Sequence, residues 1–154
     1  MSSSKKTVFA TRRNLPLLLL QAREQVMAQF RPILNEAGLT EQQWRVMREL
    51  VVHGPREPRE IVELCRISSP SLAGVLSRMD RMGLVERERF DDDQRRVRVS
   101  ATARSRALAA RLEPRITAVY DDIEARVGRD FTQALYGSLD ELIGSLSGDQ
   151  TKHA

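Results

Sequence analysis

Between Leu84 and Thr102, in "LVERERFDDDQRRVRVSAT", the chain drops the three- and four-residue apolar spacing that governs the rest of it. Leu84–Phe90 and Val97–Ser100 alternate instead, and the tip between them, Asp91–Arg96, carries three Asp and two Arg. Alternation on both sides of a polar tip predicts a β-hairpin. One small charged hairpin inside an otherwise helical chain is explained by its setting or not at all.

The setting is read from the helices. From Asn14, Leu19, Leu20, Arg23, Val26, Met27, Phe30, Ile33 and Leu34 recur on one helical face, and Gly38 supplies a stop. Pro32 should bend this helix without ending it, since the stripe continues in phase. Thr40 opens a second helix through the capping box "TEQQ", with Gln43 reaching back. Trp44, Met47, Leu50 and Val51 face inward, and His53–Pro55 ends the element. A short helix follows from about Pro58 through Ile61, Val62 and Cys65. Ser69 is expected to cap the next helix, with Pro70 in its first turn, Leu72, Val75, Leu76 and Met79 inside, and Gly83 as terminator.

The outer face of that helix carries Ser71, Gly74, Ser77, Arg78 and Arg81. A solvated face normally favours long Glu and Lys, which are better helix formers than Ser or Gly. Small residues allow close approach to another surface, so the two short helices form a helix-turn-helix candidate. A hairpin directly after it is a wing. The narrow minor groove of A/T-rich DNA concentrates negative potential, so a tip arginine needs no packing partner within the chain. Asp93 is expected to brace the loop by pairing with Arg95, Arg96 or Arg87. In isolation "DDDQRR" reads better as a solvated turn; behind a helix-turn-helix that preference reverses.

Thr102 then caps a long helix with Leu108, Leu112, Ile116, Val119, Ile123 and Val127 in phase through Pro114. Gly128 interrupts, and a last helix carries Phe131, Leu135, Leu139, Leu142, Ile143 and Leu146. The expected fold is mainly α with a small β-hairpin wing. A single domain spans 14–146, with a winged helix-turn-helix core over about 40–101 and dimerisation helices over about 14–37 and 102–146. A flexible basic arm (1–13) precedes it and a tail (147–154) follows.

Charge agrees with one anionic partner at one end. Met1–Pro55 holds eight Lys/Arg against four Asp/Glu, Arg56–Arg111 thirteen against nine, and Leu112–Ala154 four against eight. Of the 25 basic residues 22 are Arg, whose planar fork suits phosphates, base edges and carboxylates. The apolar run "LPLLLL" is shorter than a signal peptide core, and no stretch approaches the roughly 20 apolar residues of a membrane span. A cytoplasmic protein is expected.

The order of parts, from about Leu15 to Leu146, resembles the MarR family of winged-helix transcription regulators. "GLVERERFDDDQRRVRVSAT" resembles that family's wing motif, with Asp93, Arg95 and Thr102 at matching spacings. Gln94 and Ala101 depart from it, so no arginine contact is carried to position 94. "LLQAREQVMAQFRPIL", "LTEQQWRVMREL" and "PSLAGVLSRMDRMGLV" are similar to the branch of the family that represses homoprotocatechuate degradation. The resemblance implies a homodimer on a palindromic operator, released by a small aromatic acid. Double-stranded DNA would be met by Ser69, Pro70, Ser71, Gly74, Ser77, Arg78 and Arg81 on the helix, and by Asp93, Arg95 and Arg96 on the wing.

The effector candidates are Arg23, Met27, Trp44, Arg45 and Arg48. Arg23 is a charge on an apolar stripe, which is costly unless paired. Two readings stay open: an internal or cross-dimer salt bridge, in which Glu24 is set aside as pointing elsewhere, or a bidentate grip on a ligand carboxylate. Trp44 is either core or a ring for stacking. Arg45 and Arg48 add positive potential or are simply solvated. His53 is expected to cap its helix, and Cys65, in phase with Ile61 and Val62, reads as core rather than as a redox sensor. No catalytic constellation, cofactor motif or metal-ligand set is legible, which disfavours an enzyme. Two alternatives remain: a MarR-like regulator of another effector class (hydroxycinnamate or its thioester, or a multidrug or stress response) and, behind it, a helical protein-interaction module, which would not need the wing arginine.

Overall fold

Asn14 accepts a hydrogen bond from Leu17 N (3.1 Å) and so starts α1, Leu15–Glu36. The computed structural model describes residues 12–148. All but the last two residues of the expected arm and the first two of the expected tail lie outside it. Pro32 sits inside α1, which continues to Glu36, and Phe30, Ile33 and Leu34 around it are buried. Gly38, with φ +70°, then turns the chain.

The capping box of α2 (Glu41–His53) forms as its sequence predicts, Gln43 N to Thr40 Oγ1 at 3.1 Å and Thr40 N to Gln43 Oε1 at 3.0 Å. Two further helices follow, α3 (Pro58–Cys65) and α4 (Ser69–Arg81). The cap of α4 is Ser68 rather than the expected Ser69. Ser68 is extended, its hydroxyl accepts from Ser71 N, and its carbonyl accepts the first helical bond from Leu72 N at 2.9 Å. Pro70, which has no N–H to satisfy, thereby falls in the first turn.

Strands β1 (Val85–Arg89) and β2 (Val97–Ala101) pair antiparallel, Arg87 opposite Val99, within a residue of their expected ends. Arg56 adds a bridge to the outer side of β2, with Arg56 N to Val99 O at 3.0 Å and Val99 N to Arg56 O at 2.8 Å. Thr102 caps α5 (Ala103–Val127) through Ser105 N at 3.1 Å, and its hydroxyl donates to Gly83 O at 2.7 Å. The buried Ser105 hydroxyl donates to Leu84 O. These bonds tie the end of α4, the root of the wing and the start of α5 together. Gly128 (φ +94°) separates α5 from α6, Arg129–Ser147.

The core lies where α2, α3, α4 and the wing root meet: Val46, Met47, Ile61, Val75, Met79 and Val99 are wholly buried. Leu34 of α1 and Leu112 of α5 join it. Away from it, Leu15, Leu20, Phe131, Ile143 and Leu146 are each more than half exposed. Apolar stripes this open fit elements that a second chain would cover. Among the described residues no helix is long and apolar enough to cross a membrane.

Candidate nucleic-acid interface and ligand cavity

The outer face of α4 is laid out as its sequence predicts. Ser69, Pro70, Ser71, Ser77, Arg78 and Arg81 are exposed and Gly74 is half-buried. A Cβ on Gly74 would meet only the Arg78 guanidinium, at an ordinary 3.6 Å. Internal packing therefore does not require glycine there. The guanidinium groups of Arg78 and Arg81 form no hydrogen bond or ion pair among the described residues, whereas Ser71 Oγ accepts from Ser68 Oγ at 2.9 Å.

The wing holds five arginines, and four are engaged. Arg87 pairs with Asp80 at 2.9 Å, Arg98 with Glu88 at 3.0 Å, and Arg96 with Glu57, while Arg89 donates to Gln94 O. Only Arg95, at the tip, has a guanidinium without a partner among the described residues. Asp93 braces the loop, though not by the expected side-chain pairing. Its carboxylate accepts from Arg95 N at 3.0 Å and its carbonyl from Arg96 N at 3.1 Å. A short acidic side chain reaches a backbone N–H two residues on more readily than a long guanidinium. Gln94 closes the loop from within, donating to Phe90 O at 3.2 Å.

A cavity of about 460 Å³ opens between α1, α2 and α5, and all five effector candidates line it: Arg23, Met27, Trp44, Arg45 and Arg48. Phe30, Ile116 and Tyr120 complete an aromatic and apolar wall, the Phe30 and Tyr120 rings lying 5.0 Å apart and tilted by 60°. Its volume suits a small ring-bearing molecule.

Its charges are unevenly spoken for. Arg23 is not at a core position, its side chain being 45% exposed; it pairs with Glu41 and also with Glu24 at 3.3 Å. Glu24 thus takes part, because adjacent long side chains on an exposed helical face can converge. Arg45 lies 4.0 Å from Glu41 and donates to Cys65 O at 2.6 Å. Burial pushes Arg45 below the ordinary arginine value and the nearby Arg23 charge adds to this, while Cys65 acts in the opposite direction. Its Nε is the one buried side-chain nitrogen or oxygen without a partner among the described residues. Glu49 is taken by Arg56 at 3.0 Å. Arg48 is exposed, and its guanidinium has no partner among the described residues, so it is the cavity arginine that no internal carboxylate offsets.

Sequence reading passed over Tyr120 and Phe30 as wall residues, and Glu41 as the partner of Arg23. Glu41 was visible only as a first-turn acid, and Tyr120 stands beside the stripe residue Val119 with no local mark. His53 lines the cavity and caps nothing with its side chain; the C-cap is Gly54. Cys65 is 5% exposed, burial pushes its thiol above the usual value, and Glu49 adds to this while Arg45 opposes it. A protonated, enclosed thiol is a poor peroxide target. Cys65→Ser should therefore alter no peroxide response and should cost roughly 1 kcal/mol in stability. Peroxide-dependent loss of activity that disappears in the variant would overturn this assignment. Among the described residues no group of three or more His, Cys, Asp or Glu could hold a metal ion.

The profile described as "MarR family" matches residues 37–96, from the α1–α2 turn to the wing tip. The chain is 40% identical over 124 residues to the HTH-type transcriptional regulator FarR of Neisseria gonorrhoeae, covering 80% of this chain and 85% of that one. It is 40% identical over 130 residues to the homoprotocatechuate degradative operon repressor of Escherichia coli, covering 84% and 88%. The structure of NadR in complex with 4-hydroxyphenylacetate superposes with a TM-score of 0.74 at 39% identity, covering 86% of this chain and 94% of that one.

Proposed function

The chain belongs to the MarR family, whose named relatives here are transcription regulators rather than enzymes, and from that premise we propose that it is a cytoplasmic, homodimeric repressor released from its operator by a small aromatic carboxylate. The observation that carries the DNA reading is the lone unpartnered Arg95 at the tip of a wing whose other arginines are all engaged. In this reading α4 enters a major groove and presents Ser69, Pro70, Ser71, Gly74, Ser77, Arg78 and Arg81, while Arg95 enters the adjoining minor groove. Asp93 shapes the loop that carries it. The open stripes of α1, α5 and α6 form the dimer, and the single domain spans about 14–146.

The effector reading rests on the cavity. A carboxylate suits this arginine-rich lining, and Arg48, whose guanidinium is unpartnered, is the arginine able to grip it bidentately. Arg23, already paired with Glu41, ties α1 to α2 beside the ligand. The ring would lie among Trp44, Met27, Phe30 and Tyr120. Hydroxylated phenylacetates are the first class to test, given the relative named for homoprotocatechuate degradation and the NadR complex.

DNase footprinting on the chain's own upstream DNA should show a near-palindromic site with half-sites about one helical turn, roughly 34 Å, apart. Protection should fade as 4-hydroxyphenylacetate is added. A monomer covering one asymmetric half-site would end the dimeric reading, and protection indifferent to hydroxylated phenylacetates would end the effector class.

A further inference from the structure

The wing is fastened twice to the segment that opens α3. At its root, the paired backbone hydrogen bonds between Arg56 and Val99 extend the sheet by one bridge. At its tip, Arg96 Nε donates to Glu57 Oε1 at 3.1 Å, Nη2 reaches the same oxygen, and the guanidinium carbon lies 4.3 Å from the centre of the Phe90 ring. Arg96 is held by a carboxylate, an aromatic face and, through its own N–H, the Asp93 carbonyl. Its neighbour Arg95 has the opposite arrangement, with a backbone fixed by Asp93 and a guanidinium without partners. The hydrogen bond from Arg96 holds the Glu57 carboxyl below its ordinary value, so the pair is charged at neutral pH.

We propose that Glu57 and Arg96 form a latch that fixes the direction of Arg95, so that Arg96 is a positioning residue and not a reader of DNA; this rests on the winged-helix reading above. Two facts favour a latch over a second DNA-contacting arginine. The Arg96 charge is already neutralised by a partner 39 positions away, on the element that begins the helix-turn-helix. An acidic side chain beside a phosphate-seeking surface also opposes binding by repulsion, and holding Arg96 gives it a reason to be there. The latch couples the attitude of the tip to the helix pair that α4 belongs to, so groove and flank are engaged in one register.

The test uses the full-length protein and a fluorescein-labelled duplex cut from its own upstream footprint, read by anisotropy. Glu57→Gln keeps the size of the side chain but removes its charge and so weakens the pair. Simple electrostatics predicts tighter DNA binding when an acid is removed. The latch predicts weaker binding, by roughly fivefold, and a further change of less than about twofold when the substitution is made in an Arg95→Ala background. Arg96→Gln, which breaks the latch from its other side, should show the same dependence on Arg95. Wild-type or tighter binding by Glu57→Gln, or equal losses in both backgrounds, would overturn the latch while leaving the DNA reading intact. If Arg95→Ala itself binds like wild type, the wing reading fails and the latch with it. Melting temperatures of the three single and two double variants separate these outcomes from a folding defect.

Discussion

Arg48→Ala is expected to leave operator binding near wild type and to abolish the response to 4-hydroxyphenylacetate. The Arg48 guanidinium has no partner among the described residues, so removing that side chain breaks no hydrogen bond or ion pair among them. A charge-assisted contact to a carboxylate is worth about 1.5–3 kcal/mol, or on the order of a 10- to 150-fold loss of ligand affinity. Because a ligand shifts a conformational equilibrium only through its differential affinity for the two states, release should disappear in step with binding. Arg23→Ala is the instructive contrast. It unpairs Glu41 and loosens the joint between α1 and α2, so it should lower thermal stability while the variant still binds ligand. Calorimetric titration of both variants, with melting curves alongside, distinguishes them. If Arg48→Ala still binds ligand as wild type while Arg23→Ala does not, the anchor is Arg23 and the free-charge argument is wrong.

Arg95→Ala should lower operator affinity by about 1–3 kcal/mol, mostly at A/T-rich flanks. Melting temperature should not move, since its guanidinium makes no hydrogen bond or ion pair among the described residues. The separation of the two readouts is the useful part. Arg87, Arg89, Arg96 and Arg98 all hold loop or strand together, so their loss confounds folding with recognition. Anisotropy titrations on operators with A/T-rich and G/C-rich flanks measure the effect. Equal affinity of Arg95→Ala for every variant duplex would reduce the wing to a solvated turn.

What the sequence made legible divides along a physical line. Thr40 with Gln43, Thr102 as a cap and the turns at Gly38, Gly83 and Gly128 were all readable, because caps and stops are local and satisfy backbone groups within a few residues. The outer face of α4 was readable because small residues there contradict the composition of a solvated helix. The cap at Ser68 was missed by one position, since adjacent serines offer the same hydroxyl and only helix register decides between them. The partnerships of Arg23 with Glu41, Arg96 with Glu57 and Tyr120 with Phe30 were not legible at all. Each joins residues brought together by packing of separate elements, and nothing in local periodicity marks which exposed charge will find which. Five effector candidates nevertheless line one cavity, because Met27 and Trp44 lie on stripes that meet where α1 and α2 pack and Arg23, Arg45 and Arg48 flank those stripes.

The knot of hydrogen bonds from Thr102 and Ser105 to Gly83 and Leu84 has a kinematic consequence. It removes the hinge between α4 and the hairpin and welds both to the first turn of α5. Any displacement of α5 is then transmitted as motion of a solid body, with no joint in which to dissipate. On the proposed reading, an effector between α1, α2 and α5 would act on the hairpin and α4 together, through the first turn of α5, and not on one of them alone.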